Sequence, residues 1–468
     1  MSRSFPLHGH RCESEGRQRA TVSLGIFSSA PRCYIQRMEP PLYSGLAERS
    51  PAKLGKRVPI HWRSISVGFA AGVVSVVMLV VAIFVSPDWF TSKEVLQERK
   101  EQSHKELLVE REGIYNEGLN RSASDCERLV DAVHAILQVD PTYTIDFLIL
   151  SGGGDKGAFA SGFLRGWFSV AAGPLARPKF VGVSGVSAGA LIAPSAFLGT
   201  VEDARVIDEI FRSTDPDWVV RRGLLFFNLQ HSSLAEIPGL EREVHDYIDL
   251  PYAQRLIKAG ASGRALIFQA TNADHGTAHS FDGVALARQA VSTGDLEPLR
   301  DALLASSAIP GIFPPQLMDD ELYIDGILTG NIFYGDYTAR SINAETFGSL
   351  WKRRYPNTPI AKMRYWVIIN STIKPSVLTV QPRWISLAKR GLEVASHSFT
   401  AVTLRHLFLL AENARLRGEG EHEVRWVAVP STWDPPVGDY FNQESMRSLS
   451  DLGRRMGEDP NSWNTQSP

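Results

Sequence analysis

From Ile65 to Ser86 the chain reads ISVGFAAGVVSVVMLVVAIFVS, strongly apolar and without a charge. At ~1.5 Å per residue a helix of this length covers the ~30 Å hydrocarbon core of a bilayer, so the run predicts one transmembrane helix. A cleaved signal peptide would have a shorter apolar stretch and a small-residue cleavage site, which is missing here. Beyond the run the pattern inverts. Residues 91 to 112, TSKEVLQERKEQSHKELLVERE, are densely charged with sparse apolar positions, which predicts a solvated helical stalk within a linker over 87–143. From Thr144 short apolar runs alternate with glycine-rich turns and amphipathic stretches, the pattern of a βαβ protein with a parallel sheet. The predicted strands are 145–151, 179–184, 265–272, 321–326 and 365–370.

The 468 residues are 44% hydrophobic and 21% charged, which excludes a chain disordered throughout. Lys and Arg number 49 against 51 Asp and Glu, so there is no whole-molecule attraction to nucleic acid, and any membrane contact must be local. Cys12, Cys33 and Cys126 form no CxxC pair, so neither a metal nor another cofactor is expected. Arg49, Lys53, Lys56, Arg57 and Arg63 precede the apolar run with only Glu48 opposing. After it, Lys93, Arg99 and Lys100 are mixed with Asp88, Glu94, Glu98 and Glu101. This bias predicts a cytoplasmic N-terminal tail over 1–64 and a C-terminal part on the non-cytoplasmic side. Residues 1–37 are rich in Arg, Ser and Gly without periodicity, and Met38 is the expected start of translation.

The first predicted strand runs into Gly152-Gly153-Gly154-Asp155-Lys156-Gly157 and then an apolar helical stretch. Backbone N–H groups clustered at a helix N-terminus stabilise an anion. Gly152, Gly154 and Gly157 also satisfy G-x-G-x-x-G, the dinucleotide fingerprint. That reading needs a carboxylate ~20 residues on, after the second strand. The chain offers Gly185-Val186-Ser187-Ala188-Gly189 there instead, a G-x-S-x-G between a strand and a helix, the pattern of a nucleophile elbow. Such a Ser needs a base. His275, in a glycine-flanked loop, is one candidate; Asp325, followed by Gly326 at the end of a predicted strand, is another.

Four ordered segments, SGGGDKG (151–157), GVSAGAL (185–191), ASSAIPGIFPP (305–315) and YIDG (323–326), resemble the signatures of the patatin-like phospholipase family. The closing stretch FNQESMRSLSDLG (441–453) is similar to a tail seen in some members. The resemblance implies a three-layer α/β/α sandwich with a mainly parallel central sheet, its catalytic domain over 144–340 and an extension over 341–468 completing it. It further implies lipid ester hydrolysis by a Ser187–Asp325 dyad with no histidine, and an oxyanion hole from the N–H groups of Gly152, Gly153 and Gly154. Lys156 fills the basic position of the glycine-rich signature, supported by Gly157, Gly185, Gly189 and Gly326. Ile327 departs from the family's usual Gly or Ala after Asp-Gly, and its branched Cβ restricts that turn. A catalytically silent lipid-binding module is therefore the alternative, with a dinucleotide-binding oxidoreductase behind it. Membrane lipid is the expected partner, both as substrate and, through 65–86, as anchor.

Overall fold

The computed structural model describes residues 102–173, 176–222, 231–334 and 347–468. The apolar run 65–86 and the charges around it lie outside the described residues, and among the described ones no helix is long and apolar enough to cross a membrane.

Helix α1 (His104–Val139) opens with a capping box, the Ser103 hydroxyl accepting from the Glu106 N–H while the Glu106 carboxylate accepts from the Ser103 N–H. Its first turns, from residue 104, are mostly exposed. Its end is not: Val130, Val133 and Leu137, three and four residues apart, are buried against Ile145, Leu350, Trp351 and Met363. The stretch read as a linker thus contributes its last turns to the core.

The strands are β1 (Thr144–Leu150), β2 (Gly182–Val186), β3 (Val220–Arg221), β4 (Ala235–Glu236), β5 (Ala265–Asn272), β6 (Thr277–Asp282), β7 (Gln316–Met318), β8 (Glu321–Asp325), β9 (Lys362–Ile369) and β10 (His422–Ala428). Eight of them form one sheet in the order β10-β9-β1-β2-β5-β8-β7, with β6 also on β5; β10, β9, β1, β2 and β5 are mutually parallel. The helices after α1 are α2 (Gly157–Phe168), α3 (Ala188–Leu198), α4 (Val201–Arg212), α5 (Pro238–Tyr247), α6 (Leu250–Gly260), α7 (Gly283–Thr293), α8 (Glu297–Ser306), α9 (Phe347–Arg354), α10 (Trp384–Leu416) and α11 (Gln443–Glu458).

Alternate strand positions point to opposite faces. Leu148, Leu150, Phe268 and Trp366 meet α2, α3, α8 and α11 in one core, while Ile149, Val367 and Ile369 on the other face meet Leu404 and Leu407 of α10. Each such buried side chain stabilises the fold by ~1.5–3 kcal/mol. The expected α/β architecture with a mainly parallel central sheet is therefore present. Strands and helices beyond residue 341 belong to it: β9 pairs with β1, and α11 lies against α2 so closely that a Cβ at Gly162 would sit 2.1 Å from the Ser450 carbonyl oxygen.

Candidate active site

The C-terminal edge of the parallel strands is where an open α/β sheet leaves a crevice. β1 delivers the glycine loop there, β2 the Ser187 turn and β9 Asn370.

Ser187 sits between β2 and α3 with φ 53° and ψ −126°, a backbone region that side chains other than glycine rarely adopt. Two contacts hold it. Its N–H donates to Ser306 Oγ at 2.9 Å, and the Ser306 hydroxyl donates to the Gln269 carbonyl at 2.6 Å, so Ser306 can only accept from Ser187. The flanking glycines are demanded by close approach: a Cβ at Gly185 would lie 2.3 Å from the Gly189 carbonyl oxygen, and one at Gly189 2.4 Å from that of Leu150.

Asp325 reaches Ser187 from a strand that runs opposite to β2. A carboxylate at the C-terminal end of a strand parallel to β2 would lie on the elbow's own edge. β8 instead runs antiparallel to β5. β6 occupies one edge of β5, so β2 and β8 share the other, meeting head to head: Val186 is opposite Gln269 and Asp325 opposite Ala270. The Ser187 hydroxyl consequently donates to Asp325 Oδ2 at 2.7 Å. Asp325 Oδ1 accepts the Ile327 N–H at 2.9 Å. Asp325 is buried, and burial pushes its carboxyl up to about 7, against the opposing pull of the Ile327 N–H and the Ser187 hydroxyl.

Ile327 is not strained. Among the described residues the positive-φ side chains are Ser187, Asp319, Asp320 and Phe441, and Ile327 lies in a short 3₁₀ turn, Gly326–Leu328. The turn's tight position is Gly326, where a Cβ would come within 2.2 Å of the Gln269 carbonyl oxygen. A branched residue is therefore accommodated after Asp-Gly.

Gly152 and Gly153 follow β1, and Gly154 to Lys156 form a single 3₁₀ turn leading into α2, which begins at Gly157. Among the described residues no hydrogen bond uses the N–H groups of Gly152, Gly153 or Gly154, which leaves three donors for an anion. Asn370, which sequence reasoning missed, fixes this loop. Its Nδ2 donates to the Ser151 carbonyl at 2.7 Å, its Oδ1 accepts the Ala160 N–H at 3.0 Å, and its own N–H donates to Ser151 Oγ at 2.8 Å. The signal was available, since Asn370 ends the apolar run YWVIIN on the same sheet edge. Asn370→Ala would leave a buried carbonyl and a buried N–H unpaired, at ~1–3 kcal/mol each. Urea unfolding is expected to show a loss of roughly 2–6 kcal/mol; a loss within error of zero would mean Asn370 does not hold the loop.

Asn331, also missed, is buried with Nδ2 donating to Thr400 Oγ1 at 2.6 Å. Because Thr400 gives its own proton to the Ser396 carbonyl, the amide orientation is fixed and Oδ1, which has no partner among the described residues, points to within 2.7 Å of a Cβ built on Gly152.

His275 is buried, but its Nε2 is 3.1 Å from Glu321 Oε1. Glu321 begins the strand that Asp325 ends, about 13 Å away at ~3.3 Å per residue. Among the described residues no histidine bonds to Ser187 or Asp325, and no cluster of His, Cys, Asp and Glu could hold a metal. Asp155 Oδ2 accepts the Phe441 N–H at 3.2 Å, tying the C-terminal FNQES segment to the glycine loop.

No curated protein matches the chain. The model of the patatin-like phospholipase family matches residues 148–335, a span that begins within β1 and ends just beyond Tyr334. The glycine loop, the Ser187 turn and the Asp325 turn all fall inside it, and Asn370 outside. Residues 148–335 are therefore similar to a patatin-like phospholipase domain.

Proposed function

We propose that Ser187 and Asp325 form a catalytic dyad that hydrolyses carboxylic esters of phospholipids or lysophospholipids through an acyl-enzyme. The observation that carries this is the 2.7 Å hydrogen bond from the Ser187 hydroxyl to a buried carboxylate whose pKa is about 7. A base works best when its pKa lies near the working pH. Asp325 takes the Ser187 proton while Oγ bonds to the ester carbonyl carbon, and the carbonyl oxygen becomes an oxyanion. In this reading the N–H groups of Gly152, Gly153 and Gly154, uncommitted among the described residues, hold it; a preorganised donor of this kind contributes ~3–4 kcal/mol. The intermediate collapses, Asp325 returns its proton to the departing alcohol, and the acyl group stays on Oγ. Water then gives a proton to Asp325 and attacks the acyl carbon; the second intermediate collapses with Asp325 returning that proton to Ser187 Oγ, which releases the fatty acid and restores the dyad.

Geometry also bears on the alternatives. Ile327, the motive for a silent module, donates to Asp325 through its N–H and fits its turn without strain. The carboxylate a dinucleotide ribose requires has no counterpart after β2, which ends in the Ser187 turn. The apolar run 65–86 supports an anchored enzyme with its domain on the non-cytoplasmic side, where tethering raises the local lipid concentration. The reading is tested by fluorophosphonate labelling together with fatty-acid release from mixed phospholipids in detergent; no labelling and no release would overturn it. His275→Ala is expected to change kcat/KM less than about tenfold, because the base is Asp325; a loss like that of a triad histidine, about 10⁴-fold or more, would restore His275 as the base.

A further inference from the structure

Helix α10 is apolar on two sides. One side packs on the sheet through Leu404, Leu407 and Ala411. The other, at helical spacing, presents Trp384 (74% exposed), Leu387 (55%), Val402 (57%) and Leu409 (60%) to solvent. The preceding segment adds Val377, fully exposed, and Leu378. A helix that buries one apolar side and offers a second has a partner for the second.

Charge identifies that partner. Between residues 371 and 405 the chain has five basic residues, Lys374, Arg383, Lys389, Arg390 and Arg405, against Glu393 alone, in a protein whose net charge is −2. Arg390 pairs with Glu393 at 3.1 Å, whereas among the described residues no ion pair engages Lys374, Arg383 or Lys389. Lys389 Nζ stands 4.5 Å from the ring centre of the exposed Tyr440. Cations and aromatic rings beside a broad apolar face are the composition of a helix lying in a membrane interface.

Position connects this face to the chemistry. Between α10 and the turn after Asp325 lies a groove of about 430 Å³, lined by Ile327, Leu328, Leu392, Ala395, Phe399 and Val402. Ile327 is the residue whose N–H holds Asp325 Oδ1. A larger cavity, of about 580 Å³, opens farther along α10 beside His422 and Glu423 and includes no residue of the turn after Asp325, so adjacency to that turn and not size selects the groove.

We propose that residues 374–402 dock on an anionic phospholipid bilayer, with the Ile327–Leu328 groove leading an acyl chain from that bilayer to Ser187. The chemical half rests on the hydrolase reading above, whereas the docking half does not. The test uses the whole chain reconstituted into phosphatidylcholine vesicles with or without phosphatidylglycerol, Cys12, Cys33 and Cys126 replaced by serine. Leu387→Cys or Val402→Cys carries an environment-sensitive fluorophore, and the exposed Ser292→Cys serves as reference. Acyl-chain-brominated lipid is expected to quench the probe at 387 and 402 but not at 292. The docked population is expected to fall about fivefold for each of Arg383→Gln and Lys389→Gln, and on omitting phosphatidylglycerol to fall further. Quenching at 387 and 402 no greater than at 292 overturns docking, as does crosslinking of these positions to residues before 102 or to a second copy. Quenching does not depend on turnover, so loss of fluorophosphonate labelling would overturn the dyad while leaving docking to its own result. If docking delivers substrate, Trp384→Glu combined with Leu387→Glu lowers hydrolysis of bilayer phospholipid but not of a soluble short-chain ester; equal loss on both would overturn the delivery role.

Discussion

Alanine at position 187 is expected to abolish ester hydrolysis, lowering kcat by about 10⁶-fold, as removal of a nucleophile does when the oxyanion donors remain. The substitution isolates one atom. The Cβ stays, and the backbone N–H still donates to Ser306, so the turn keeps its anchor. What disappears is the Oγ that donates to Asp325, along with all fluorophosphonate labelling. Ser187→Gly is a companion with a different signature. At φ 53° and ψ −126° a Cβ is strained by ~1–3 kcal/mol, and glycine removes that strain. It should be equally inactive yet unfold at higher urea than Ser187→Ala. Hydrolysis of phospholipid in detergent at the wild-type rate by either variant would place the chemistry elsewhere.

The strain at Ser187 was legible in the sequence because glycines two residues either side announce a turn with no room for side chains. Strands β1, β5 and β9 were legible for another reason. Each holds an apolar stretch that is mostly buried, FLIL in β1, LIF in β5 and YWVII in β9, which marks it in the sequence. β2 was placed about two residues early, because Phe180 and Val181 extend its apolar run although pairing starts at Gly182. β6, β7 and β10 went unread: each is partly exposed and mixes polar with apolar residues, so no uninterrupted apolar run marks it. Asp325 was legible as a strand-end carboxylate and through the family signature, but nothing in YIDG states that its strand runs against β5. Ser306 could not have been found locally. Its hydroxyl matters only because the Gln269 carbonyl takes its proton, a relation set by the fold across 37 residues of sequence.

Asp325→Asn is expected to separate activity from stability with opposite signs. The amide cannot take the Ser187 proton, so kcat should fall by about 10⁴-fold, comparable to asparagine in place of a buried catalytic aspartate elsewhere. Stability should move the other way, and only at higher pH. In the fold Asp325 keeps its proton up to about 7, whereas in the unfolded chain it does so only to ~3.9. Between those limits the native protein binds the extra proton, so the wild type loses stability as pH rises from ~4 to about 7. The loss is of order 4 kcal/mol in total, because burying the ionised carboxylate costs what the shifted pKa records. Asparagine stays neutral, so its advantage over wild type should be near zero at pH 4, grow through this window and level off above it. If Asp325 is the base proposed above, the same titration acts on catalysis in reverse: wild-type kcat/KM should climb as Asp325 ionises near pH 7. Urea unfolding of both proteins across pH, set beside the wild-type pH–rate profile, joins the two. A stability difference that does not vary with pH, or a rate profile that bends near pH 4, would show that Asp325 carries its charge as cheaply in the fold as in water. A buried base tuned to neutrality would then no longer explain how a serine works here without a histidine.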